Sequence, residues 1–231
     1  MTLPILNTPT YEITVPSTKQ SIEFRPFLVK EEKLLFMAQE SKDQAEILKI
    51  LKDIVRACTF EKINPDELTS YDLEYIFLKL RGKSVGEIIS IEVKCQYCGA
   101  VNPLDINIDD VHIKYPEKKV DSKIQLTSDV GITVRSVPVK ELSMLSNNED
   151  FVQAIALCID TIFTGEKVYH RNEVSMKELT DFVESLSHNH VKMIEEFISN
   201  QPKLEHVITY TCHNCGKENR IVLSGLQDFF N

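Results

Sequence analysis

Glycine and proline are scarce in this chain of 231 residues, with seven of the one and nine of the other. Long flexible linkers are built from such residues, so none is expected. Long apolar runs are also missing. The longest, Ala154-Ile155-Ala156-Leu157-Cys158-Ile159, falls far short of the roughly 18 residues a membrane-spanning helix needs. The first residues, Met1-Thr2-Leu3-Pro4-Ile5-Leu6, lack the basic start and long apolar stretch of a secretory signal. The expected setting is therefore a cytoplasm. Positive charge is short as well: 26 Lys and Arg face 35 Asp and Glu, for a formal net charge of −9. Phosphate affinity comes mostly from Lys and Arg, so broad nucleic-acid binding is disfavoured. With 42% hydrophobic and 26% charged residues, the composition is that of a globular protein, long enough for one large domain or two small ones.

Motifs of common catalytic sites are absent too. There is no His-Glu-x-x-His and no Gly-x-Ser-x-Gly. Gly82-Lys83-Ser84 resembles the end of a phosphate-binding loop, but the glycine that motif needs five residues earlier is Phe77. Arg81 to Gly86 reads instead as the end of a helix. His188-Asn189-His190 spells the letters of a nuclease motif, but those catalytic groups are spread over a hairpin and a helix. A tripeptide between Ser187 and Val191 reads as a solvated turn between two helices. Asp109-Asp110 and Glu195-Glu196 read as exposed charge, and His112, His170, His206 and His213 have no evident partner in the sequence.

Six cysteines are present, unevenly placed. Cys58 and Cys158 stand alone among apolar residues at helical spacing and read as core. The other four form two Cys-x-x-Cys pairs, Cys95/Cys98 and Cys212/Cys215. A reducing compartment makes disulfides the lesser use of them. Zinc takes thiolates in a tetrahedron, and a Cys-x-x-Cys turn points two sulfurs at one spot. Gly99 and Gly216 follow the turns, where a positive φ lets backbone N–H groups approach the sulfurs. Four thiolates close the coordination shell, which marks a structural zinc site and leaves no open position for catalysis. Two other arrangements stay open. The pairs could each bind metal with another chain, or serve as redox dithiols. The redox reading needs a helix opened by the motif, whereas here each pair lies between expected strands.

The 113 residues separating Cys98 from Cys212 have an explanation in self-similarity. Phe24-Arg25-Pro26-Phe27-Leu28-Val29-Lys30-Glu31 matches Val134-Arg135-Ser136-Val137-Pro138-Val139-Lys140-Glu141 at Arg, Val, Lys and Glu, at an offset of 110. Asn64-Pro65-Asp66-Glu67-Leu68-Thr69 faces Ser175-Met176-Lys177-Glu178-Leu179-Thr180, both with the spacing of a helix capping box. Cys95-Gln96-Tyr97-Cys98-Gly99-Ala100-Val101-Asn102 faces Cys212-His213-Asn214-Cys215-Gly216-Lys217-Glu218-Asn219 at an offset of 117. Same order and slowly growing offset are how a duplication with small insertions behaves. Residues 1–110 then form a first repeat and 111–231 a second, in one compact unit.

Each half opens with an extended segment, Tyr11 to Phe27 and Lys123 to Val137. Helices follow: Ile47, Leu51, Ile54, Val55 and Cys58 keep one face, as do Leu179, Phe182, Val183 and Leu186, then Val191, Ile194, Phe197 and Ile198. Strands enter the Cys turns over Ile88 to Val93 and Leu204 to Tyr210 and leave over Val101 to Ile108 and Arg220 to Leu223. The apolar tail Leu226 to Phe230 is expected to dock. The fold class is α+β, internally duplicated: two helical lobes with short antiparallel strands, joined by a split four-cysteine, zinc-ribbon-like site.

Phe24-Arg25-Pro26-Phe27-Leu28-Val29-Lys30-Glu31-Glu32, and Leu80-Arg81-Gly82-Lys83-Ser84-Val85-Gly86-Glu87 running into the first Cys turn, resemble the small baseplate-hub proteins of T4-like contractile-tailed phages. The second Cys turn fits the same pattern. The resemblance implies a non-catalytic structural or chaperone role in tail baseplate hub assembly. Its partners would be other tail or hub proteins, in the host cytoplasm during assembly or in the virion baseplate, with no membrane and no small-molecule substrate. The rival expectation is a zinc-stabilised nucleic-acid-binding or HNH-type nuclease protein. It needs basic residues gathered at the Cys turns, but Lys94, Lys217 and Arg220 are few and neighboured by Glu92 and Glu218.

Overall fold

In the computed structural model, residues 6–41, 43–117, 121–142 and 151–230 are described. The chain begins with an antiparallel hairpin, β1 (Tyr11–Thr14) and β2 (Ser21–Phe24). Ile13, Ile22 and Phe24 turn inward, the period-two pattern of a half-buried strand pair. Helix α1 (Val29–Glu40) lacks a side-chain oxygen at its cap position, Leu28. The Glu31 carboxylate supplies one by accepting the Leu28 N–H at 2.8 Å. Helix α2 (Gln44–Cys58) starts at Asp43, which accepts from Ala45 N–H, and buries Ile50, Ile54, Val55 and Cys58.

Asn64 does not open the next α-helix as its capping spacing suggests. It caps a 3-10 turn, Pro65–Glu67, which ends at an extended Leu68. Helix α3 (Ser70–Val85) starts five residues later, with Thr69 and Asp72 as its capping box. Asp72 is fully buried and also accepts the Ser17 N–H at 2.8 Å, tying the loop after β1 to the helix. Gly82 faces Ile108 so closely that an added Cβ would lie 3.3 Å from its methyl. Gly-Lys-Ser is thus the last turn of α3, stopped at Gly86 with φ 138°. Strands β3 (Ile88–Lys94) and β4 (Val101–Asn107) form the first Cys hairpin. A 3-10 turn, Ile108–Asp110, leads into β5 (His112–Lys114).

Residues 115–202 pack as a separate unit. Its sheet has the order β6-β7-β8-β9, all antiparallel: β6 (Lys123–Gln125), β7 (Val130–Val134), β8 (Ile159–Thr164) and β9 (Lys167–His170). Helix α4 (Val139–Leu142) follows β7, and α5 (Phe151–Cys158) runs straight into β8. After a 3-10 turn at Arg171–Glu173 come α6 (Met176–Glu184), with its Ser175/Glu178 capping box, and α7 (His188–Ser199). Ile132, Val134, Ile155, Ile159, Leu179, Val183, Ile194 and Phe197 form this unit's core. Among the described residues up to 110, no hairpin follows α2 as the β8-β9 hairpin follows α5.

The chain then rejoins the first unit, which comprises residues up to 114 and from 203 onward. Strand β10 (Lys203–Thr211) pairs with both β5 and β11 (Glu218–Ser224). Lys203 sits opposite Lys114, so the chain leaves and re-enters this unit at adjacent points. The short helix α8 (Gln227–Phe230) places Phe229, fully buried, among Leu78, Ile89, Ile91, Ile106, Leu204 and Leu223.

The repeated Arg-x-x-x-Val-Lys-Glu segments adopt one arrangement twice. The Arg25 N–H donates to the Cys58 carbonyl at 3.0 Å, and its guanidinium meets Glu31 at 2.9 Å. The Arg135 N–H donates to the Cys158 carbonyl at 2.8 Å, and its guanidinium meets Glu141 at 2.5 Å. Each arginine therefore fastens a strand end to the last turn of a helix while holding the motif's own carboxylate. Cys58 and Cys158 are buried in these corners; burial pushes both thiols up to about 11, Arg25 and Arg135 opposing.

Candidate metal centre

Both Cys turns are built alike, bond for bond. The Cys95 N–H donates to the Ala100 carbonyl (2.9 Å) and the Gly99 N–H to the Cys95 carbonyl (3.0 Å). The Cys212 N–H donates to the Lys217 carbonyl (2.9 Å) and the Gly216 N–H to the Cys212 carbonyl (2.9 Å). Closing so tight a turn requires positive φ, met by Gly99 at 72° and Gly216 at 68°.

The two turns meet. Sγ of Cys95 lies 3.7 Å from that of Cys215, and Sγ of Cys98 lies 3.7 Å from that of Cys212. All four sulfurs fall within 4.8 Å of one another. A tetrahedral thiolate site with metal–sulfur bonds of about 2.3 Å has sulfur–sulfur edges of about 3.8 Å. The observed spacing suits such an ion and exceeds the roughly 2.05 Å of a disulfide. Cys95 and Cys212 are buried, whereas Cys98 and Cys215 are exposed.

The surroundings favour thiolates at the two inner positions. Burial opposes ionisation of Cys95, but the N–H groups of Tyr97 and Cys98 and the Asn219 side chain outweigh it and bring the thiol down to about 6. At Cys212 the Cys215 N–H is the largest influence, burial opposes it, and the thiol again falls below its ordinary value. Cys215 moves the other way, up to about 11. The Lys217 N–H favours its thiolate, but burial and the neighbouring sulfurs prevail. Adjacent thiolates repel, so ionising all four thiols at this spacing would need a cation among them.

Contacts between the turns extend beyond the sulfurs. The Gln96 N–H donates to Asn219 Oδ1 and the His213 N–H to Asn102 Oδ1, each at 3.0 Å. Lys217 Nζ sits 4.6 Å from the centre of the Tyr97 ring. The asparagines stand seven residues after the first cysteine of each turn. That shared position was visible in the sequence, but their role across the site was not.

The family described as T4 bacteriophage base plate protein matches residues 8–231. The chain belongs to that family. It is similar to the baseplate hub assembly protein gp26 of Enterobacteria phage T4, with 24% identity over 222 residues, covering 95% of this chain and 97% of that protein. No solved structure matches the chain.

In this base plate family member the His-Asn-His tripeptide lies elsewhere. It is not an inter-helix turn but the first turn of α7, where Ser187 accepts the His190 N–H and His190 Nδ1 accepts the Ser187 N–H. It belongs to the unit of residues 115–202, whereas all four clustered cysteines belong to the other. His213 lies inside its Cys turn with an exposed ring, and its Nδ1 is 2.9 Å from Asn102 Oδ1.

Proposed function

We propose that this chain is a non-catalytic baseplate hub assembly protein, built as a duplicated scaffold and stabilised by one zinc ion on Cys95, Cys98, Cys212 and Cys215. The carrying observation is the family match over nearly the whole chain, with a relative of nearly equal span that is named for hub assembly. Its partners are other tail and hub proteins, met in the host cytoplasm. The net charge of −9 suits protein partners better than nucleic acid.

Zinc is supported by the donor set: four cysteine sulfurs within 4.8 Å of one another, two pairs of them at 3.7 Å, which suits a borderline-soft d10 ion. Four protein ligands fill the shell, so the ion's contribution is to folding. Duplication is supported by the two matching arginine corners, by a 3-10 turn and capping box before α3 and again before α6, and by the two like-bonded Cys turns. On this reading the second half's Cys hairpin has packed onto the first half's, leaving residues 115–202 as the remainder of the second repeat.

The test of function is co-expression with the neighbouring tail proteins of the same phage, followed by affinity isolation and native mass spectrometry. The expected result is a defined complex with a hub component. Recovery of the chain alone in every combination, together with salt-sensitive binding to DNA, would overturn the reading.

A further inference from the structure

The two Cys turns cross-brace one another through a pair of buried asparagines. Asn102 and Asn219 are 3% and 2% exposed. Each uses its amide N–H2 on its own turn, Asn102 donating to the Ala100 carbonyl at 2.8 Å and Asn219 to the Lys217 carbonyl at 2.9 Å. That bond fixes the amide orientation and turns Oδ1 toward the opposite turn. There it accepts the N–H of the residue after the first cysteine, Gln96 for Asn219 and His213 for Asn102, both at 3.0 Å. The four bonds form two equivalent pairs across the cluster.

We propose that Asn102 and Asn219 are positioning residues of the metal site, reciprocal latches that bring the two halves of the ligand set together across 113 intervening residues. This rests on the zinc reading above. Buried amides with both ends satisfied hold their groups rigidly, because releasing either end leaves a buried polar atom unpaired. Each latch acts on the turn opposite its own. Asn219 aligns Gln96, next to Cys95, and Asn102 aligns His213, next to Cys212. Outer-shell groups of this kind change metal affinity by roughly 10–100-fold when removed.

The test uses the full chain, with Asn102→Ala, Asn219→Ala and Asn219→Asp beside wild type. Zinc affinity is read by competition with a chromophoric chelator, and amide hydrogen exchange is followed residue by residue in the zinc-loaded protein. Cobalt spectra check that four thiolates still bind. The expected result is one metal per chain with a four-thiolate spectrum in all, and affinity lowered about 10–100-fold in each alanine variant. Loss of protection should be crossed: Gln96 N–H in Asn219→Ala, His213 N–H in Asn102→Ala. Asn219→Asp keeps an acceptor oxygen but loses the Nδ2–H that orients it, so protection at Gln96 should be only partly regained. Unchanged affinity with lowered melting of the metal-free and metal-loaded forms alike would overturn the latch and leave the zinc site standing. An alanine variant too unstable to measure still leaves the zinc-loaded wild type, in which Gln96 and His213 N–H groups exchanging as fast as free amides would also overturn the latch. No metal on reduced wild type would overturn both.

Discussion

Single side chains here do unlike work in like positions. Arg25 and Glu31 have side chains only 10% and 3% exposed. Truncating Arg25 leaves a buried carboxylate held only by the Leu28 N–H and by the exposed Lys30 at 3.5 Å, so Arg25→Ala should cost about 3 kcal/mol in chemical denaturation. Arg135→Ala should cost clearly less. Its side chain is 22% exposed, and the second cation on Glu141, Arg171 at 3.5 Å, is far more buried than Lys30 on Glu31 (19% against 70% exposed). Equal losses would mean that the two corners are not differently buried in solution. Glu74 gives a pH dependence. It lies against the turn after β11, where a Cβ on Gly225 would be 3.6 Å from its Oε1, and burial pushes its carboxyl up from 4.5 to about 7. Between those values the unfolded chain loses its proton first, so stability falls as pH rises through this window and stays low above it. Glu74→Gln should therefore raise the melting temperature at pH 8, removing a penalty of up to about 3 kcal/mol, and leave it unchanged near pH 4. The same shift at both values would contradict this origin.

At the level of elements, legibility followed the range of the forces involved. Helices α2, α6 and α7 could be read because their apolar stripes record which face is buried. The Cys hairpins could be read because two glycines and four cysteines at fixed spacing leave few alternatives. The start of α3 could not. Asn64-x-x-Glu67 and Thr69-x-x-Asp72 are successive capping signals, and the second is tied down by a long-range bond from the Ser17 N–H to Asp72, which no local pattern contains. The latch asparagines were hidden for the same reason, since their partners lie more than 100 residues away. Two glycines separate backbone strain from steric clash. At Gly216, with φ 68°, an added Cβ meets nothing within 4 Å, so Gly216→Ala should cost about 1–2 kcal/mol through conformation alone. At Gly131 the Cβ would lie 2.2 Å from the Phe163 ring. Gly131→Ala should destabilise by clash, and Phe163→Leu should restore part of the loss in denaturation experiments. If that double variant is no more stable than Gly131→Ala alone, the ring is not the obstacle.

For the whole molecule, the order of units along the chain would give a bound metal its leverage. One cysteine pair precedes residues 115–202 and the other follows them, so an ion bound there would fasten a discontinuous unit whose last strands are made after the intervening one. Zinc bound only in the folded state contributes its binding energy to folding, on the order of 10 kcal/mol. Chelation should accordingly release hydrogen-exchange protection in β3, β4, β10 and β11 while α6 and α7 keep theirs. The most direct test of this account is native mass spectrometry of the purified, reduced chain. The expected result is one zinc ion on a monomer, lost on denaturation. Half a zinc per chain, zinc confined to dimers, or none on four intact thiols would contradict a site closed within one chain.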